Sequence, residues 1–300
     1  MMSRPRPNLF LVGSMKSGTS SLHAYLGTHP MVFMTVDPKE PTYFLRREQL
    51  LDVFLGGEKR GYWRSEERYL ELFAKAGDAP VVGEASANYA RLHRVKGVPQ
   101  RIAKFDLDAR IILIMRDPVE RTISHYWYMV QFFGERRDIL TAIHEEPDYT
   151  DTSYCAIQLR PYLETFGARN VKTLTMEALR DQPRKTMADV FRWLGVDDSF
   201  VPPNFDQRIN EAPSLVTQVR GFGLLHKFRH SNLWNEIGSN VPTGIRPCVR
   251  GFSERNVARK EIDMTPVKRY LRPMQCEQTQ ELTELLGHDF PERTSLYAEA

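Results

Sequence analysis

Short apolar runs that end in a polar turn and give way to a helical pattern recur four times in this chain, at Asn8–Val12, Pro80–Gly83, Arg110–Met115 and Val171–Thr175. Continuous apolarity over so few residues suits a strand covered on both faces, and a helix between strands supplies the crossover that parallel pairing needs. The repetition predicts an α/β architecture with a parallel sheet. Two of the helices carry start and stop signals. In "RDPVERTISHYWYMV", Asp117 is a suitable N-cap, and Pro118 fits the first turn, where its missing N–H costs nothing. In "RDQPRKTMADVFRWLG", Pro183 opens a helix, Met187, Val190, Phe191 and Leu194 form an apolar stripe, and Gly195 stops it.

The first run leads into "FLVGSMKSGTSSLHAYLGTHP". A Walker A loop, GxxxxGK[ST], carries its lysine directly after the last glycine. Here Gly13 and Gly18 keep that separation, but Thr19 takes the lysine position and Lys16 lies mid-loop. Glycine amides and a helix N-terminus near Thr19 still converge on an anion site. By itself the loop fits a ligand-free turn equally well. The second constellation is "RIILIMRDPVERTISHY", in which a buried strand ends in Arg116 and Ser124 follows on the next helix, a clamp for another phosphate. A Walker B strand would end in an acidic magnesium ligand instead, and nothing in the sequence obviously holds a metal.

With 300 residues and 41% hydrophobic content, the chain can fill the core of one domain, and no repeat or linker divides it. Its 41 basic and 38 acidic side chains leave a net charge of only +3, which argues against a dedicated nucleic-acid binder but allows a local basic pocket. Cys155, Cys248 and Cys276 are odd in number and widely spaced, so they read as reduced thiols of a cytoplasmic protein. The opening "MMSRPRPNLFLVGSM" is too short in apolar residues for a secretory signal or a spanning helix, and a soluble chain is expected. Between 201 and 255 the pattern weakens. There "VRGFGLLHKFRHSNLW" reads as a helix packed on the domain, or as an amphipathic segment lining an acceptor site or touching a membrane surface peripherally.

Taken together, "GSMKSGTSSL" resembles the 5′-phosphosulfate loop of sulfotransferases that use 3′-phosphoadenosine 5′-phosphosulfate (PAPS), and "RDPVERTISHY" resembles their 3′-phosphate strand and helix. "HPMVFMTVDPKEPTYF" and "GEASANYA" are most similar to the heparan-sulfate and general bacterial branch. The resemblance spans residues 8–200, and 250–290 more loosely. It implies a P-loop-like three-layer fold, one domain over 1–300 with 201–255 as acceptor or lid region, and PAPS as donor with PAP as product and no metal required.

Residue by residue, the resemblance places Lys16 on the phosphosulfate, where it would neutralise charge on the departing oxygen. Amides of Ser17, Gly18, Thr19 and Ser20 would hold the 5′-phosphate, and Arg116 and Ser124 the 3′-phosphate. The family's catalytic base matches Glu40 in "KEPTYF", with Lys39 beside it as an aid to orienting substrate. Glu84 is expected to be structural or to touch the acceptor, and Tyr154 to contact cofactor or acceptor. Arg259 and Lys260, with Arg255 nearby, match a loop that closes over the nucleotide. Heparan-type members often place a lysine after the glutamate of "GEASANYA", where this chain has Ala85, and that departure argues against an acidic polysaccharide. A carbohydrate, glycolipid or lipid-like alcohol is the acceptor class implied. The alternatives from other classes are a P-loop kinase or NTPase with a displaced lysine, and a non-catalytic PAP(S)-binding protein. His23, His29 and the crowded His125, Tyr126, Trp127 and Tyr128 read as structural.

Overall fold

The computed structural model describes residues 5–53, 61–205, 215–219, 254–258 and 262–297. Five strands form one sheet: β1 (Leu9–Gly13), β2 (Val32–Met34), β3 (Val81–Ala85), β4 (Arg110–Met115) and β5 (Val171–Thr175). They run in the order β2-β3-β1-β4-β5, and every neighbouring pair is parallel. The four apolar runs are therefore strands, displaced by at most two residues from their expected limits. The unforeseen strand, β2, is an edge strand of three residues, too short to show a run.

Alternation along β1 divides the core into two layers. Phe10 and Val12 pack with Ile102, Leu159, Tyr162 and Leu282, whereas Leu9 and Leu11 pack with Leu22, Leu26, Val190 and Phe191. Those partners lie on helices, so the sheet is sandwiched. One side carries α1 (Thr19–Leu26), and the other carries α2 (Val98–Phe105). Next in sequence come α3 (Pro118–Phe133), α4 (Cys155–Asn170), α5 (Pro183–Leu194) and α6 (Thr265–Leu286). Helix α5 joins α1 on its side, and α4 and α6 join α2. The result is the three-layer α/β fold with a central parallel sheet.

Two local details fix the frame of the site. Asp117 caps α3, accepting the N–H groups of Val119 at 3.0 Å and Glu120 at 3.1 Å. Its other oxygen accepts the Ser295 N–H at 3.0 Å, so the same carboxylate ties the C-terminal segment to the start of α3. After β1 the chain winds to β2 and β3, then crosses over β1 to reach β4. The carboxyl end of β1 thus lies at the reversal of winding, where open α/β sheets accept ligands.

A second sheet pairs β6 (Leu215–Val219) with β7 (Glu254–Ala258) in antiparallel fashion, and β6 lies beside α3. All of "VRGFGLLHKFRHSNLW" after Val219, the last residue of β6, lies outside the described residues, as do Arg259, Lys260 and Cys248. Cys155 and Cys276 are free thiols. Among the described residues no helix is long and apolar enough to cross a membrane.

Candidate active site

The loop after β1 turns on two left-handed residues, Lys16 with φ 66° and Gly18 with φ 91°. Gly18 is the N-cap of α1 and offers no side-chain cap, which leaves the first amides of α1 to another acceptor. The backbone there would strain any other residue, and its Cβ would stand 3.3 Å from Met176 Cγ, close enough that the methionine would have to shift. The Ser17 amide is spent on the loop's own turn, donating to the Ser14 carbonyl at 3.2 Å. The Ser17 hydroxyl is buried and has no protein partner among the described residues. Buried hydroxyls are rarely left so, and an oxygen-rich ligand in the loop would satisfy it.

Arg116, at the end of β4, reaches back to this loop and donates from Nη1 to the Lys16 carbonyl at 3.3 Å. Its Nη2 lies 3.9 Å from Glu120 Oε2, and Lys268 of α6 lies 3.3 Å from the other oxygen of the same carboxylate. Burial pushes the Arg116 pKa down, opposed by Glu120, Glu177 and Asp117. Ser124 is buried one helical turn beyond Glu120. Spacing of four residues puts Glu120, Ser124, Tyr128 and Phe132 on one stripe of α3. The site therefore runs along that stripe from Arg116.

Tyr128 is the residue that sequence reasoning missed. It is half-buried, and Lys16 Nζ stands 4.8 Å from its ring centroid, a cation–π contact that holds the mid-loop ammonium over α3. Burial raises the Tyr128 pKa, and the charge of Glu40 raises it further. Phe132 and Phe133, 54% and 41% exposed, pack against the same ring. Its crowded neighbours hid Tyr128 in the sequence, but the i, i+4 relation to Ser124 was the available signal. Tyr126 and Trp127 are core, as expected. His125 is buried against Tyr149, and burial, with Arg121 adding, holds its pKa well below the usual range. His23 and His29 bond to the carbonyls of Thr35 and Asp197 at 2.7 and 3.0 Å.

The segment carrying Glu40 comes to the same loop. Lys39 Nζ donates to Ser20 Oγ at 3.0 Å and lies 3.7 Å from Glu40 Oε1. Burial lowers the Lys39 pKa, opposed by the charge of Glu40. Lys16, Ser20, Lys39, Glu40, Arg116 and Tyr128 are thus linked by direct contacts or electrostatic proximity.

Two expected contacts stand elsewhere. Glu84 is fully buried, and its carboxylate accepts hydroxyls from Tyr69 at 3.0 Å, Ser86 at 2.9 Å and Tyr89 at 3.1 Å. That enclosure favours the structural expectation over acceptor contact. Tyr154 turns its hydroxyl to Met274 Sδ of α6 at 3.7 Å. Ala85 is buried in the layer below α1. Among the described residues no cluster of three or more His, Cys, Asp or Glu side chains is placed to hold a metal ion.

Burial pushes the Glu84 carboxyl up to about 7 against the opposing pull of its three hydroxyl donors, with Glu40 adding to the rise. A raised folded-state pKa means that this group's contribution is full below its ordinary value and is lost as pH rises through about 7. Asp148 works in the other direction. Burial alone would raise it, but His93 and Arg91 outweigh burial and hold it well below the carboxylate range, so its contribution disappears in acid. Between pH 5 and pH 8 wild-type stability is expected to fall by roughly 2–3 kcal/mol through Glu84. Urea titrations across that range are expected to show a flatter profile for Glu84→Gln.

An α/β protein with a central parallel sheet and a basic loop at the carboxyl end of its first strand is the class defined by these features. The family profile for the sulfotransferase domain matches residues 6–212. The chain belongs to the sulfotransferase family. It is 25% identical over 303 aligned positions to heparan sulfate glucosamine 3-O-sulfotransferase 3B1 of Homo sapiens, covering 96% of this chain and 65% of that protein. It is 29% identical over 169 positions to the membrane-associated sulfotransferase kil1 of Dictyostelium discoideum, covering 54% of this chain and 32% of that one. The chain thus spans about two thirds or less of these relatives. A crystal structure of a sulfotransferase from Alicyclobacillus acidocaldarius shares the fold, with a TM-score of 0.66 at 24% identity over 97% of this chain and 99% of the other.

Proposed function

We propose that this chain is a sulfotransferase that moves a sulfuryl group from PAPS to an acceptor hydroxyl, with Glu40 as general base. The observation that carries this reading is the convergence of the Glu40 segment and the Arg116 strand end on one loop, through Lys39 to Ser20 and Arg116 to the Lys16 carbonyl. The buried, unpartnered Ser17 hydroxyl and the uncapped N-terminus of α1 fit a phosphate-bearing donor. PAPS, when bound, supplies a sulfuryl group activated by its link to phosphate.

The chain's own groups then have distinct tasks. Amides of Gly18, Thr19 and Ser20, with the Ser17 hydroxyl, hold the 5′-phosphate. Arg116 and Ser124 hold the 3′-phosphate, and the other expected nucleotide contacts, Arg259 and Lys260, lie outside the described residues. Lys16, kept over Tyr128, presents its ammonium where negative charge grows on the leaving oxygen. Glu40 removes the proton of the attacking hydroxyl, while Lys39 holds the carboxylate near the loop. Positioning matters more than base strength in a loose transfer of this kind. The exposed Phe132 and Phe133 beside Tyr128 favour an acceptor with an apolar or ring face, such as a glycolipid or a lipid-like alcohol.

The test is transfer of label from sulfur-labelled PAPS to a panel of glycan, glycolipid and lipid-like alcohols. A labelled product that is lost in Glu40→Gln supports donor, reaction and base together. Labelled product at wild-type rate from Glu40→Gln would reject the base.

A further inference from the structure

The three residues that follow Pro41 are all held by side chains that converge on one buried carboxylate. The Thr42 N–H donates to Ser86 Oγ at 3.1 Å, and Ser86 Oγ donates to Glu84 Oε2 at 2.9 Å. The Tyr43 ring is stacked on Tyr69 with centroids 4.1 Å apart, and the Tyr69 hydroxyl donates to Glu84 Oε1 at 3.0 Å. The Phe44 N–H donates to the Tyr89 hydroxyl at 3.1 Å, and Tyr89 donates to Glu84 Oε1 at 3.1 Å.

The direction of these bonds fixes the role of each hydroxyl in the hub. Backbone N–H groups can only donate, so the Ser86 and Tyr89 hydroxyls accept from them and turn their own protons toward Glu84. Both oxygens of Glu84 then accept, as both oxygens of a carboxyl group can, whereas glutamine would set an amide nitrogen at one of the two positions. The segment needs such restraint, because Thr42 has φ 55°, a left-handed conformation that a β-branched residue rarely adopts. A conformation of that kind persists only where its surroundings over-determine it. Thr42 stands two residues after Glu40.

We infer that Glu84 is a positioning residue for the reaction: through Ser86, Tyr69 and Tyr89 it locks the Thr42–Phe44 turn and so sets where the Glu40 carboxylate stands beside the phosphosulfate loop. This inference rests on the proposed role of Glu40. It replaces the expectation that Glu84 meets the acceptor, and it explains how a wholly enclosed carboxylate serves the site. Glu84 touches neither substrate nor donor in this account.

The experiment compares wild type, Glu84→Gln, Ser86→Ala and Tyr89→Phe by hydrogen exchange of the 42–44 amides, PAP calorimetry and transfer kinetics. In Glu84→Gln the amide places a donor against Ser86 Oγ and breaks one strand of the hub. Exchange at Thr42 is expected to accelerate at least tenfold, and kcat to fall about tenfold. The KM for PAPS and the PAP affinity should stay within about twofold. Ser86→Ala should release Thr42 alone, and Tyr89→Phe should release Phe44 alone. These milder variants carry the test if Glu84→Gln does not fold. Unchanged exchange at both amides in folded variants would overturn the inference, as would loosened amides with undiminished kcat. If wild type transfers nothing to any acceptor, the function proposed above fails and this role in catalysis falls with it, whatever the exchange data show of the turn.

Discussion

Glu40→Gln is expected to lower kcat for sulfuryl transfer by about 10²- to 10⁴-fold while PAP affinity stays within about twofold, the signature of a lost general base. The substitution keeps the size of the side chain and removes only its capacity to take a proton. Glu40 pairs with Lys39 at 3.7 Å, and Lys39 is itself bonded to Ser20, so the nucleotide loop keeps its own contacts when the charge is lost. The pH profile is informative as well, because a base that works as a carboxylate loses activity toward acid. Steady-state kinetics with the best acceptor, together with PAP titration of the same protein, separates the two effects. A fall in kcat matched by an equal fall in PAP affinity would assign Glu40 to donor binding.

Lys16→Ala is expected to cost about 10²–10³ in kcat, the scale for removing a group that stabilises developing charge. Its mid-loop position sends the ammonium across the site to the Tyr128 ring. The loss should exceed the change in PAP affinity, because PAP is the product and lacks the sulfuryl group being transferred. Lys16→Arg should recover only part of the rate, since a planar guanidinium does not reproduce a compact ammonium. Equal activity in Lys16→Ala and wild type would exclude this lysine from the reaction. Tyr128→Phe keeps the ring under Lys16 and should preserve most of the rate.

Much of the fold was legible because each central strand is covered on both faces and must be apolar throughout. Helices α3 and α5 were legible from Asp117, Pro118, Pro183 and Gly195, whose chemistry is local. Strand β2 was not, since its three residues at the sheet edge carry too little pattern. The glycine loop and Arg116 could be singled out as candidates because amide and guanidinium anion sites repeat as short motifs. The hub at Glu84 could not, because it joins Tyr69 on one helix to a turn at Ser86 and Tyr89 and to the backbone of Thr42 and Phe44. Such links depend on tertiary placement. Tyr128 lies between these cases. Its spacing from Ser124 was visible, but the neighbouring Tyr126 and Trp127, which do belong to the core, suggested the same for it.

The site is expected to bind an adenosine nucleotide by two separate phosphates, one at the Lys16 loop and one at Arg116. Calorimetric titration without magnesium tests it most directly, comparing PAP with adenosine 5′-phosphosulfate, which lacks the 3′-phosphate. Wild type is expected to bind PAP at least tenfold more tightly, and Arg116→Ala to weaken PAP at least tenfold while changing adenosine 5′-phosphosulfate little. Equal affinity of wild type for the two ligands, or PAP binding that requires magnesium, would contradict the account.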